Sequence, residues 1–589
     1  MAIQLTGAQA LVRALAAEGV RHVFGVVGGK FAPFLHAIAQ QQQLQYLGLR
    51  HEAAGPMMAA ALRAAGGPVA VAIGEMGPGG LNLASGVGGA YNNRLPLLAL
   101  TTNQHRAACY PGSGMFMDLD TKAVFAPVTK WNAVVGDGRR IPQLVRTAFR
   151  EALSGRPGPV HLDLPHDVLA APVAFADDEF ALTPAQTRGP LRLRPAASDV
   201  QAAAALLRAA RRPLLVAGGG VVASGDEAVL ALRRLAALLQ APVVPTQMAL
   251  GTVPSRGEGA AHWIGHGGLI AGEPVWRALE QADVVLALGC RWSSWMWDER
   301  GPLVRRKQQL ISINVDPSAL GEPAPHALAL QADAAEALAD LEAALGPAAA
   351  LAVDADWLPG LRRLRAVYDQ RLAELAAVPD SAAVGGEAMH PAALAQAIAA
   401  AMPANALSVF DGGHTSFWSN DYTPVHDVRT CLHEPGMSHL GFGLPAAMAL
   451  QLLHPRRAVF NLTGDGAFGF TLQELDSARR LGLPVINVIH NNAAWGVIRM
   501  GQRRALDFEL GTSLAGTDYA AIARGFGCHG ETVRTAGELA PAIARALASG
   551  LPAVIDAHTR FVPHPAAPGF GSMNRYGFEA LTRVAAVPG

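Results

Sequence analysis

The chain has 589 residues, enough for about three domains of ordinary size, and 47 basic residues balance 47 acidic ones. A formal net charge of +0 gives no basic field for nucleic acid or an anionic membrane, and a 51% hydrophobic, 16% charged composition excludes a disordered chain. The cysteines Cys109, Cys290, Cys431 and Cys528 stand apart with no CxxC, so neither a disulfide nor a zinc framework is expected. The apolar runs are short and broken by Gly, Pro or charge, and the N-terminus reads as an amphipathic helix, so a soluble cytoplasmic protein is expected.

Residues up to about 180 alternate helix and strand. Thr6–Glu18 reads as a helix and His22–Val27 as a strand ending in Gly28-Gly29. Lys30–Gln41 is a helix and Leu44–Leu49 a strand, followed directly by Arg50-His51-Glu52 and a small-residue helix over Ala53–Ala64. Val69–Ile73 is a strand, Met76–Asn82 turns into another helix, and Leu97–Thr101 is the next strand. Such repeats with short loops predict a mostly parallel sheet with helices on both faces. Thr183–Pro195, with three prolines, reads as a linker.

A second α/β unit is expected over 196–345. Pro213–Ala217 is a strand before Gly218-Gly219-Gly220, Val284–Leu288 one before Gly289-Cys290-Arg291, and Leu310–Val315 one before Asp316. The glycine turn lacks GxGxxG spacing and signals a dinucleotide only weakly. Residues 346–385 read as an Ala-rich helical connector.

The third unit, 386–562, holds the most informative stretch. An apolar run, Ala458–Leu462, leads into Gly464-Asp465-Gly466, where a tight turn is expected. Thr471–Arg480 has helical periodicity and ends in cations, and Val485–Ile489 is a second buried strand before His490-Asn491-Asn492. Both polar ends fall at C-terminal edges of strands, where α/β folds bind ligands. Asp465 and Asn492, 27 positions apart (492 − 465), make a weak cage alone. They suit a Mg²⁺ that also takes oxygens from a bound diphosphate. The final stretch, 563–589, reads as a loop and a short helix.

The GDG…NN pattern in this setting resembles the cofactor signature of the thiamine-diphosphate (ThDP) enzymes. The match runs over nearly the whole chain and is closest to the acetolactate synthase-like group. That group includes benzaldehyde lyase, 2-hydroxyacyl-CoA lyase, oxalyl-CoA decarboxylase and cyclohexane-1,2-dione hydrolase. The resemblance implies three doubly wound α/β domains: pyrimidine-binding (1–182), central (196–345) and diphosphate-binding (386–562). It implies Asp465, Asn492 and the Ala494 carbonyl as Mg²⁺ ligands, with Gly464, Gly466 and Ala467 beside the diphosphate. Asp411-Gly412-Gly413-His414-Thr415 looks like the other diphosphate turn, with Gly413, His414 and Thr415 as contacts.

By the same resemblance, Glu52 bonds the aminopyrimidine and helps remove the thiazolium C2 proton. Read alone, Glu52 is a helix-capping residue or a carboxylate whose pKa apolar surroundings raise unless it is paired. Leu440, in Gly436–Pro445, corresponds to the large apolar residue that bends the cofactor into a V, and the Ser438 backbone to the aminopyrimidine contact. Relatives usually carry Gly where Ser438 stands. Lys30, His105, Phe116, Met117 and Trp495 are candidate substrate-facing residues. Lys30 suits a substrate carboxylate or phosphate, or a solvated helix start. Acetolactate synthases and benzaldehyde lyase have a Gln near 105–117 that has no match at the same positions here, which argues against those two activities.

In relatives, the region of Arg291–Trp297 helps bind FAD or ADP. The tryptophans here depart from that pattern and also suit packing between domains. The implied activity is ThDP- and Mg²⁺-dependent cleavage or formation of a C–C bond next to a carbonyl, on a small-molecule carbonyl substrate. Two alternatives stay open: a 2-hydroxyacyl-CoA lyase or oxalyl-CoA decarboxylase whose tail closes over CoA, and a catalytically silent ThDP-fold binding subunit. The family implies a homodimer or homotetramer, with Glu52 of one subunit meeting the third domain of another.

Overall fold

The computed structural model describes residues 2–109, 114–176, 178–189, 192–268, 270–298, 301–302, 308–321, 325–346, 351–379, 381–383 and 386–565. Three parallel sheets organise these residues. The first holds His22–Gly25, Gln45–Gly48, Val71–Gly74, Leu98–Asn103, Trp131–Val134 and Val160–Pro165. Numbered along the chain within the sheet, the strands lie in the order 2-1-3-4-6-5. The third sheet, Leu407–Phe410, Cys431–His433, Val459–Gly464, Ile486–Asn491, His529–Val533 and Ala553–His558, repeats that order. The middle sheet, Pro213–Ala217, Val243–Pro245, Val284–Leu288, Gln309–Asn314 and Leu328–Gln331, runs 2-1-3-4-5. Every pair within these three sheets is parallel.

The strands are apolar on both faces because each face is covered by helices. In the first sheet Val23, Ile73 and Leu100 feed one core, while their neighbours Phe24, Ala72 and Ala99 feed another. The third sheet divides Phe410, Leu462 and Val488 from Val409, Val459 and Ile489 in the same way. Side chains that alternate along a strand reach opposite faces, so each sheet is doubly wound.

Local chemistry sets several boundaries. Thr6 caps the helix Gly7–Ala17 by accepting from Gln9 N–H, and the Gln9 side chain accepts from Thr6 N–H in return. The helix Ala54–Ala64 is buried from Ala54 to Leu62 and packs on Gly443–Leu453, whose residues 443–451 are also buried. Its Ala and Gly residues let the two helices approach closely, and one core runs through both domains. The connector region holds a helix over Trp357–Ala376, which seats Trp357, Leu358 and Leu361 in the central domain's core.

Some boundaries differ from expectation. Thr183–Pro195 is not wholly irregular: Pro184–Thr187 forms a helical turn closed by a Thr183–Gln186 capping box. The strand Val459–Gly464 is longer than the apolar run and feeds directly into the helical turn Asp465–Phe468, so Gly464-Asp465-Gly466 is a strand-to-helix junction rather than a free-standing turn. The next helix starts at Glu474 rather than Thr471, and the second strand extends to Asn491 because each residue up to Asn491 pairs with the neighbouring strand. Of the tail, Pro563-His564-Pro565 is described, and His564 Nε2 lies 3.1 Å from Asp421 Oδ2. The expected tail helix lies outside the described residues. No helix among the described residues is long and apolar enough to cross a membrane.

Candidate active site

Three segments converge at the C-terminal edge of the third sheet. Phe410 registers with Leu462, and Gly464 with His490, which sets the turns after those strands side by side. Gly412 has φ +89°, and a Cβ there would lie 3.4 Å from Ala467 Cβ and 3.6 Å from Gly464 N. A Cβ on Gly464 would sit 3.0 Å from Thr415 Oγ1, one on Gly466 2.5 Å from the Trp495 ring, and one on Gly413 2.3 Å from Val497. Side chains there would clash with these neighbours, so the glycines let 411–415, 464–467 and 492–497 close together into one cradle.

Asp465 is buried and joins two of these segments. Its Oδ1 accepts from Gly466 N–H at 2.9 Å and its Oδ2 from Ala494 N–H at 3.3 Å. Burial pushes its carboxyl up to about 6, against those hydrogen bonds. The Tyr519 hydroxyl donates to the Asp465 carbonyl at 3.0 Å. Asn492 Oδ1 is buried and has no hydrogen-bond partner, and neither does either ring nitrogen of His414. Burial, helped by His564, lowers the His414 imidazole to about 4, so it is neutral near pH 7. Its ring stacks on Phe561 at 5.8 Å. Buried polar atoms left unpaired are costly, and these lie on two of the three converging segments. An Asp carboxylate, a free amide oxygen and N–H-rich glycine turns fit a metal-bound diphosphate. Among the described residues no group of three or more His, Cys, Asp and Glu side chains makes a metal site by itself.

The segment carrying Leu440 is held on both sides by acids. Glu434 accepts from Met437 N–H at 2.9 Å and His439 N–H at 2.6 Å, and from the Asn93 amide. Asp411 Oδ2 accepts from Gly441 N–H at 3.2 Å and Gly443 N–H at 3.0 Å. Ser438 sits between these clamps, exposed, with φ 50°. That left-handed conformation accounts for the Gly that relatives carry there. Leu440 is half-buried.

Glu52 gathers with a second set, at the C-terminal edge of the first sheet. Its strand ends at Gly48, so Glu52 stands in a turn before the helix Ala54–Ala64, not directly on the strand. It is half-buried and not unpaired: the Asn82 amide donates to its Oε2 at 3.0 Å. A Cβ on Gly79 would lie 3.2 Å from Glu52 Oε1 and 3.3 Å from Glu75 Cβ. Glu75 in turn accepts from Lys30 N–H at 3.1 Å and from the Thr102 hydroxyl at 3.0 Å. The Lys30 side chain is half-buried. His105 is exposed and stacks on His166 at 5.7 Å. Met117, with φ 62°, packs its backbone and Cβ against Gly77, and Phe116 is 82% exposed. Trp495 belongs to the other set and packs edge-on against Phe470 at 6.2 Å. Sequence reasoning did not single out Glu75, Glu434 or the buried Gln104, whose amide donates to the Phe116 carbonyl at 2.6 Å. Each follows a strand end by one residue, and that position was the available signal.

Where the central domain meets the other two, a cavity of about 580 Å³ opens beside Gly218–Gly220 and Gly289–Arg291, lined also by Arg63, Arg94 and Arg156 of the first domain and Arg429 of the third. Trp295 packs between domains, its indole N–H donating to the Pro435 carbonyl at 3.0 Å and its ring edge-on to Phe417 and His433. Trp297 lies where no side chain is described.

Comparison with known protein families matches residues 5–124 to the thiamine pyrophosphate enzyme N-terminal TPP binding domain, 200–341 to the central domain and 411–557 to the C-terminal TPP binding domain. A probable 2-ketoarginine decarboxylase of Pseudomonas aeruginosa is 34% identical, the match covering 89% of each chain. The acetolactate synthase isozyme 1 large subunit of Escherichia coli is 30% identical over 89% of this chain and 88% of its own. A probable acetolactate synthase large subunit of Methanocaldococcus jannaschii is 29% identical over 94% and 91%. The chain belongs to the thiamine pyrophosphate enzymes, in the acetolactate synthase-like family.

Proposed function

We propose that the protein is a ThDP- and Mg²⁺-dependent enzyme that breaks a 2-oxo acid next to its carbonyl, releases CO₂, and protonates the remainder or passes it to an acceptor carbonyl. The observation that carries this is the buried, unpartnered Asn492 Oδ1 two residues before Ala494, whose N–H binds Asp465 where the glycine turns close together. In this reading Asp465, Asn492 and the Ala494 carbonyl hold Mg²⁺. Gly413, His414, Thr415, Gly464, Gly466 and Ala467 line the diphosphate. The Ser438 backbone and Leu440 seat the ring end, held rigid by Glu434 and Asp411. The bound cofactor supplies the electron sink for the bond that breaks.

Glu52 would exchange a proton with the aminopyrimidine of a bound cofactor, and the Asn82 amide holds its carboxylate by donating to Oε2. Trp495 and Phe470 wall off water on one side. Lys30 and His105 stand as hydrogen-bond donors where a substrate carboxylate would enter, and Phe116 and Met117 form the apolar side of that entrance. Relatives named as a probable 2-ketoarginine decarboxylase and an acetolactate synthase large subunit support the reaction class.

Among the described residues no hydrogen bond or ion pair joins Glu52 to 411–415, 464–467 or 492–497. Both sets are instead rimmed by exposed apolar side chains: Val27 65% and Leu81 52% near Glu52, Met437 50% and Phe470 55% near the cradle. A second copy that set its own cradle against Glu52 would cover exposed apolar surface of this kind. The active enzyme is therefore at least a homodimer. The domains divide as 1–182, 196–345 and 386–562, and the central cavity is the place where FAD or ADP would bind. The cysteines are all free, in keeping with a reducing compartment such as the cytoplasm.

Native mass spectrometry of purified protein tests this directly, together with CO₂ release from a panel of 2-oxo acids. Bound ThDP with one Mg²⁺ per chain and turnover of at least one acid are expected. Protein that takes up ThDP without Mg²⁺, or that turns over none of the panel, contradicts the reading.

A further inference from the structure

The turn that carries Glu52 is held by the other cofactor-binding domain. Arg50 N–H donates to Glu474 Oε1 at 3.1 Å and Oε2 at 3.2 Å, and His51 N–H donates to Oε1 at 3.0 Å. The Ser477 hydroxyl completes the carboxylate at 2.7 Å. Glu474 is fully buried, and among the described residues it makes no ion pair. Burial raises its carboxyl above the ordinary range, against the hydrogen bonds of Ser477, Arg50 and His51. Desolvating a carboxylate costs several kcal/mol, and an apolar residue would pack here without that cost. What the acid supplies is geometry. It fixes consecutive N–H groups that lie in no strand or helix and, among the described residues, have no other hydrogen-bond partner. His51 Nδ1 accepts from Ala53 N–H at 3.2 Å, so the backbone is fixed on both sides of Glu52.

We propose that Glu474 is a positioning residue for Glu52: from the C-terminal domain of the same chain it sets the turn from which Glu52 reaches the cofactor. This rests on the reading of Glu52 as the acid that exchanges a proton with the aminopyrimidine. Glu474 itself touches neither cofactor nor substrate. It acts by holding the Arg50–Ala53 backbone while Asn82 orients the carboxylate, and a displacement of about 1 Å at a reacting group can cost on the order of a hundredfold in rate.

The test is hydrogen–deuterium exchange of the C2 proton of ThDP in Mg²⁺-loaded holoenzyme, which needs no substrate. Glu474→Ala is expected to slow exchange by on the order of a hundredfold. Glu474→Gln keeps an acceptor oxygen and is expected to fall between it and the parent. In a Glu52→Gln background, Glu474→Ala is expected to add no further loss, because its effect passes through Glu52. A parent-like exchange rate in folded Glu474→Ala overturns the proposal, and so does a further loss of similar size in the double variant. Should Glu474→Ala not fold, Glu474→Gln carries the same double-variant comparison. A Glu52→Gln holoenzyme that exchanges at the parent rate removes the underlying reading as well, which separates the two failures.

Discussion

The first and third sheets share the strand order 2-1-3-4-6-5, yet they have been put to different uses. After strand 1, the first domain has Gly28-Gly29-Lys30 and the third has Asp411-Gly412-Gly413-His414. After strand 2 come Glu52 in one and Glu434–Leu440 in the other; after strand 3, Glu75–Pro78 and Gly464–Ala467. In the third domain the segments crowd together and leave buried polar atoms of Asn492 and His414 without partners. In the first, the Glu52 and Glu75 carboxylates each find hydrogen-bond donors within their own domain. In the proposed reading one half holds a charged group and the other presents an acid. The lesson is that the fold supplies two equivalent platforms, and the residues at the strand ends decide which binds and which acts.

The strongest way to break that comparison is at the acid. Glu52→Gln should lower turnover roughly a thousandfold, within the range of acid–base catalysis, with ThDP still bound at parental affinity. Loss of binding instead would move Glu52 into the holding half. Asp465→Ala should lose Mg²⁺ and ThDP together in titration calorimetry, with the acid half unaffected by circular dichroism. Unchanged cofactor affinity would remove the metal assignment. Phe470→Asp or Leu81→Asp, each placing a charge on an exposed apolar rim, should shift the protein toward monomer in sedimentation and lower activity in step. A monomeric variant with full activity would show that the halves meet within one chain. Smallest, Tyr519→Phe deletes the hydroxyl bond to the Asp465 carbonyl and should weaken cofactor binding by about 1 kcal/mol, a few-fold in Kd. A stronger loss would mean that Tyr519 does more than brace the strand-to-helix junction.

Much of this was legible in the residues. Alternating helix and strand patterns with Gly at the turns announced parallel doubly wound sheets, because strands covered on both faces must be apolar throughout. The GDG…NN spacing pointed to Asp465 and Asn492, and the structure brings the segment after Asn492 against Asp465 through Ala494 N–H. The clamps were not legible. Glu474 sits in Leu-Gln-Glu-Leu, where a helix-start Glu is ordinarily solvated, and its targets Arg50 and His51 lie more than four hundred residues away. Glu434 and Asn93 meet across a similar gap. Pairings of that kind come from domain docking, which no local pattern encodes. The extent of the strand Val459–Gly464 was likewise set by pairing with its neighbours rather than by its own apolar run.

The central claim is that the acid of one copy works on the cofactor held by another. Mixing inactive Glu52→Gln protein with inactive Asp465→Ala protein under subunit exchange tests it most directly, read out as C2-proton exchange of bound ThDP. Random pairing should restore about a quarter of parental activity, because half the dimers are hybrids and each hybrid has one site with both residues intact. A mixture that stays as inactive as its components, with hybrids verified by mass, would place Glu52 and Asp465 of the same chain in one site and contradict the account.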